Sequence, residues 1–141
     1  TPMTVFRFQD LRVYQKTLEF AEWASRIAEG HSSNGQGQII SNKLLDSAVG
    51  IVFCIAEGSA SPRPVFIEQL KKAKSHVREC IVMSQLMLSL KLLNERNYEY
   101  CHSTLSEIIR MIGGLIASLS KEQADAPRDD RGNEHKNKDT L

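Results

Sequence analysis

Aromatic residues are scarce in this chain: five Phe, three Tyr and one Trp make up 6% of its 141 residues. No sustained alternation of Val, Ile, Thr and aromatic residues is present either, which argues against an all-β core. Cysteine is equally sparse. Cys54, Cys80 and Cys101 are odd in number, widely spaced and form no C-x-x-C pair. That excludes a disulfide framework and leaves reduced, buried thiols as the expectation. No apolar run approaches the roughly 18–20 residues of a membrane span, and Thr1-Pro2-Met3-Thr4 lacks the basic-then-apolar plan of a signal peptide. The expectation is a cytoplasmic protein without membrane contact. Nor does one sign of charge dominate: the formal charge is +1, divided as +2 over residues 1–120 and −1 over the remainder. Neither part is a basic nucleic-acid arm, so contact with nucleic acid would need a local stripe.

Catalytic constellations are missing too. His31, His76, His102 and His135 are scattered and form no H-E-x-x-H or similar metal-ligand pair. Cys101 and His102 are adjacent, and neighbours on a helix diverge by about 100°, so they cannot face one another. The "GQG" at Gly35 to Gly37 is too short for a dinucleotide fingerprint, and no P-loop is present. The expectation is a protein that is not an enzyme and holds no cofactor or metal.

What the chain does contain is helical periodicity, in four long segments separated by short polar breaks. The first runs from about Phe8 to Glu29, with Asp10 as its expected N-terminal cap and Gly30 as its stop. Leu11, Tyr14, Leu18 and Ala21 mark its apolar face, widened by Val13, Phe20 and Ile27. "GHSSNGQGQ", Gly30 to Gln38, reads as a loop. The second segment, about Ile39 to Glu57, becomes nearly all apolar in "AVGIVFCIA", a run that could pass for a buried strand; helix is the expectation because the whole periodic stretch exceeds strand length and helical neighbours flank it. In "SPRPVF" Ser61 can cap a third segment and Pro62 or Pro64 can occupy its first turn, where a missing N–H costs nothing. That segment continues to about Leu93 on a seam of Phe66, Leu70, Ala73, Val77, Cys80, Ser84 and Met87. Asn94 to Asn97 reads as a tight turn. The fourth segment, to about Lys121, carries the clearest stripe: Tyr98, Cys101, Leu105, Ile108, Ile109, Ile112, Leu115, Ile116 and Leu119.

These segments predict an all-α, antiparallel up-down four-helix bundle over 8–121. A short N-terminal extension (1–7) precedes it, and a polar tail (122–141), expected to be disordered, follows.

Three features bear on function. The third segment has a second apolar face, Val82, Met83, Leu86, Leu90 and Leu93, wider than one core stripe needs; its sharper reading is an interface between copies of the chain. Gly113-Gly114 points the same way more weakly: each glycine inside a helix costs roughly 1 kcal/mol against alanine, a cost that close approach of a neighbouring helix would offset, although a plain kink would explain the pair too. Lys71, Lys74 and Arg78 fall within about 60° of one another and form a stripe that can contact phosphates, with Arg12, Lys16 and Lys43 as weaker candidates. Glu57 has no catalytic company. At a helix C-terminus its charge opposes the macrodipole, so an ion pair with Arg63 or Lys16, or backbone hydrogen bonds, is expected at this corner.

"FQDLRVYQKTLEF" (Phe8 to Phe20), "IAEG" (Ile55, Ala56, Glu57, Gly58), "VFIEQLKKAKSHVRE" (Val65 to Glu79) and "IIRMIGGLIASL" (Ile108 to Leu119) follow one order and spacing. Together they resemble the four-helix-bundle family encoded in 23S rRNA intervening sequences, related to the accessory variability proteins of diversity-generating retroelements. The resemblance covers roughly residues 8–120. It implies a homopentameric bundle with no catalytic activity; in the retroelement branch it implies nucleic-acid binding and association with a reverse transcriptase, and in the rRNA-insert branch RNA association. The sequence departs from the family at three places. Cys54 stands where the family usually has Asn before Ile-Ala-Glu-Gly, Ser75-His76 replaces a Gly-Ser pair, and Leu45-Asp46 replaces a basic pair. The last change removes positive charge from the second helix.

Overall fold

The computed structural model describes residues 7–125, a 3-10 turn followed by four antiparallel helices: α1 (Arg12–Gly30), α2 (Gly35–Ser59), α3 (Arg63–Ser89) and α4 (Glu95–Asp125). Each helix packs on the next in chain order, and a slighter α1–α4 contact closes the circuit. The all-α up-down bundle expected from periodicity is the observed fold. The expected extension (1–6) and most of the expected tail (126–141) lie outside the described residues.

The core is drawn from all four stripes. On α3, Leu70, Ala73, Val77, Cys80, Ser84 and Met87 are buried as the seam requires, and on α4 so are Cys101, Leu105, Ile108 and Ile112. α1 and α2 both bury small residues: Thr17, Ala21, Ala24 and Ala28 on α1, Gly37, Ser41 and Ala48 on α2. Phe20 stacks on Trp23, and Trp23 meets Tyr100 at a tilt, with ring centroids 5.5 Å and 5.2 Å apart, bridging α1 to α4. Leu18, assigned to the core face, is instead 39% exposed. α2 is, by length and composition, apolar enough to cross a membrane, against the expectation that no run comes near a span. Its Ile40, Leu44, Ile51 and Ile55 are spent in the bundle core.

The helix ends differ from expectation in instructive ways. α1 starts at Arg12 with Leu11, not Asp10, at the N-cap and no side-chain cap. The chain first makes a tighter turn, with Leu11 N–H bonding the Phe8 carbonyl at 3.1 Å. α2 begins inside the stretch read as loop. Asn34 caps it, accepting from the Gly37 N–H at 3.1 Å. Gly37 is there for space: a methyl group on it would lie 2.8 Å from Asn34 Nδ2 and 3.1 Å from Leu92 Cδ2. Glycines that look like loop composition are thus the first turn of a helix.

Ser61 does not cap α3; Pro62 holds that position, and the Ser61 hydroxyl donates back to the Glu57 carbonyl at 2.8 Å, closing α2. α3 stops at Ser89 rather than near Leu93, because the chain turns at Lys91 with φ 61°. Asn94 to Asn97 is a cap and first helical turn, with Asn97 N–H bonding Asn94 Oδ1 at 2.7 Å. α4 continues past Lys121 to Asp125. At 31 residues it is about 46 Å long, against about 28 Å for α1, and from Gly113 to Glu122 none of its residues is fully buried.

Candidate interaction face

The α2–α3 hairpin carries most of the molecule's exposed large apolar side chains: Ile39, Phe53, Val65, Val82, Leu86 and Leu90. Between the two helices runs an open groove of about 610 Å3, lined by Lys43, Asp46 and Ser47 of α2 and by Ser75, Arg78, Glu79, Val82 and Met83 of α3. The candidate cations Lys43 and Arg78 therefore meet at one place although 35 residues separate them in sequence. Arg78 is steadied by its own helix, Nη2 donating to Ser75 Oγ at 3.1 Å. Lys71 is exposed and 3.6 Å from Glu68; Lys74 is half-buried, with no hydrogen bond or ion pair to another described residue.

Arg12 and Lys16 are elsewhere. They border a smaller pocket of about 170 Å3 at the α1–α4 seam, on the opposite side of the bundle. There Lys16 Nζ is 3.2 Å from Glu107 Oε2, so its charge is already matched.

Of the five residues expected to form an interface between copies, Val82, Leu86 and Leu90 are exposed at 61%, 42% and 46%, and Met83 is half-buried against the core. Leu93 is corrected: it is 4% exposed and belongs to the protomer's own core. It lies beyond the end of α3, so the helical wheel that put it on the outer face does not apply. Methyl groups on Gly113 and Gly114 would meet nothing within 4 Å, so no close helix of the same chain explains the pair.

The Ile55-Ala56-Glu57-Gly58 corner is held by shape rather than charge. Ile55 is fully buried, and a methyl group on Gly58 would fall 2.7 Å from Phe66 Cδ1 and 2.9 Å from Gln69 Cβ. The ion pair expected for Glu57 is absent. Its carboxylate is exposed and without a partner among the described residues. Arg63 instead lies 3.3 Å from Glu122 of α4.

Sequence reasoning missed the pairing of Gly50 with His76. A methyl group on Gly50 would lie 3.0 Å from His76 Cε1 and Nε2, so the imidazole lies across the bare backbone of α2. Its Nδ1 bonds Glu79 Oε1 at 2.6 Å. The only signal was the Ser75-His76 pair where the resemblance implies Gly-Ser, which adds bulk to α3. The three thiols are free and buried as expected. Burial pushes Cys54 upward, partly offset by the nearby Lys72 ammonium. Burial takes Cys101 up to about 12 against the opposing Ser84 hydrogen bond. Among the described residues no group of three or more His, Cys, Asp or Glu side chains is placed to hold a metal ion.

Helix order, packing circuit and core define an up-down four-helix-bundle protein whose distinctive surface is the outer face of α2 and α3. The chain belongs to the 23S rRNA-intervening sequence protein family, whose family model matches residues 9–114. Among solved structures it is similar to a protein of unknown function from the S23 ribosomal protein family of Bacteroides thetaiotaomicron. The likeness has a TM-score of 0.69 and 23% identity, over 74% of this chain and 97% of that one. It establishes the shared fold. Among curated proteins none matches.

Proposed function

We propose that this protein is a non-enzymatic, cytoplasmic, homo-oligomeric scaffold, pentameric as the family resemblance implies, that binds nucleic acid or a ribonucleoprotein through α3 and the adjoining edge of α2. The observation that carries this reading is the convergence of Lys43 and Arg78 on one groove, with Lys71 and Lys74 continuing the basic stripe along α3. Oligomer symmetry multiplies such a stripe, and phosphate binding strengthens with the number of contacts through counterion release. Exposed Val82, Leu86 and Leu90 supply the apolar area for contact between copies.

The test is binding of RNA and DNA across a salt series. Affinity falls steeply with salt, and Lys71→Glu or Arg78→Glu lowers it. Unchanged affinity in both variants would reduce the stripe to a solvated helix face.

A second reading is favoured by Asp46 and Glu79, which place acid in the same groove. In it the face binds a protein such as a reverse transcriptase, without direct nucleic-acid contact. Capture of that partner from nuclease-treated lysate, with no binding to purified RNA or DNA, separates it from the first.

A further inference from the structure

We propose that the α2–α3 face takes single-stranded nucleic acid, with Phe53 as the platform on which an unpaired base stacks while Lys43, Lys72 and Arg78 contact the phosphates. This rests on the nucleic-acid reading above and names the form of the polymer and the residue that selects it.

Phe53 is 64% exposed, the highest value among the exposed large apolar side chains. It follows Asp46 by seven residues, which on a helix returns to the same face about 10 Å further along, and Asp46 lines the groove. Phe53 therefore continues the groove toward the α2–α3 corner. His76 covers Gly50, three residues before Phe53, and Lys72 is close enough to act on the thiol of adjacent Cys54. His76 and Lys72 therefore lie at the level of α2 that carries Phe53.

The charges of this face are not evenly matched. Glu68 is held by Lys71, and Glu79 accepts a hydrogen bond from His76; Asp46 is unpaired, whereas three cations, Lys43, Lys72 and Arg78, have no carboxylate within ion-pair distance among the described residues. An exposed aromatic ring among uncommitted cations is the arrangement that receives an unstacked base and its phosphates. A duplex buries its base faces in its own stack and offers this surface only phosphates. Phe53 has nothing to do on a duplex, so it discriminates between the two forms.

The experiment compares single-stranded and duplex oligonucleotides of equal length by fluorescence anisotropy on the full chain. Phe53→Ala lowers single-strand affinity by about 5- to 160-fold, the range expected for one stacked base, and leaves duplex affinity unchanged. Phe53→Trp retains binding, and its added fluorescence is quenched by the single strand. Lys43→Glu and Arg78→Glu weaken both forms. If Phe53→Ala leaves single-strand affinity intact while the charge reversals reduce it, the stacking inference is overturned and the phosphate reading stands. If no form binds, both fall. If Phe53→Ala instead changes the mass seen by light scattering, Phe53 belongs to a contact between copies and the inference is likewise overturned.

Discussion

His31 Nε2, at the end of α1, lies 2.7 Å from the carbonyl oxygen of Leu92, in the turn between α3 and α4. A carbonyl only accepts, so Nε2 carries the proton and donates. The bond ties together the two connections at one end of the bundle, joining the α1–α2 hairpin to the α3–α4 hairpin independently of the core. Removing the donor leaves a partly buried carbonyl short of its partner. His31→Ala is expected to destabilise the fold by about 1–2 kcal/mol, read as a lower urea midpoint with unchanged m-value.

Gly58 tests the opposite corner. Gln69 Cβ, 2.9 Å from the position of an added methyl group, is anchored to the α3 backbone and cannot swing aside. Gly58→Ala should cost about 1–3 kcal/mol by overpacking, despite alanine's better helix propensity. Gly114→Ala, where the space is open, should be neutral or stabilising by up to about 1 kcal/mol. Thermal denaturation of the two variants side by side distinguishes the roles of these glycines.

The apolar residues at the end of α3 divide into core and surface. Leu93→Ala is expected to cost about 2–5 kcal/mol, the range for a buried leucine, with no specific change in assembly. Val82→Ser with Leu86→Ser should leave protomer stability nearly intact while lowering the mass seen by light scattering. Intact assembly in the double variant would assign that face to something other than a second copy.

Much of this was legible in the one-dimensional pattern, and the failures share a cause. Leu70, Val77, Cys80 and Met87 could be assigned to the core because a helix repeats its own geometry, so spacing alone determines which residues share a face. Gly37, Gly50 and Gly58 could not be understood that way. Gly50 and Gly58 are each explained by a side chain from another element, His76 or Phe66, and Gly37 partly so, by Leu92 beside its own cap Asn34; no spacing rule says which residues meet across a seam. Glu57 shows the same limit for charge. The macrodipole argument correctly identifies an unfavourable position, but solvent satisfies the carboxylate, and Arg63 reaches α4 instead. The candidate face was half legible: Lys71, Lys74 and Arg78 follow from one helix wheel, whereas the meeting of Arg78 with Lys43 required the fold.

Asp46 offers a gain-of-function test. It is the one groove carboxylate without a partner, since Glu79 is engaged by His76. If phosphates approach Lys43 and Arg78, Asp46→Asn removes a repulsion and raises nucleic-acid affinity several-fold at low salt, with the difference shrinking as salt screens it. Equal affinities at low salt would place the phosphates elsewhere.

The buried thiols make stability depend on alkaline pH. An unfolded cysteine ionises near pH 9, whereas native Cys101 holds its proton until about 12, chiefly because burial penalises the thiolate. Burial shifts Cys80 in the same direction. Between those values the unfolded chain has released protons that the native chain retains, so stability falls as pH rises. Below about pH 9 the contribution is constant. Urea midpoints should be flat through neutrality and decline above it, and Cys80→Ala with Cys101→Ala should flatten that decline. Thiol reagents should label these two cysteines only as fast as the bundle opens.

The unequal lengths of α1 and α4 give the molecule a gradient of cooperativity along one helix. Up to Ile112, α4 cannot open without exposing the shared core, and its amides should exchange only with global unfolding. Beyond that point its last turns rest on half-buried Leu115, Ile116 and Leu119 and the Arg63–Glu122 pair, so they can fray while the bundle stays shut. The end of α4 is therefore a separate, weaker folding unit, whose order can be gained or lost at small cost to the rest.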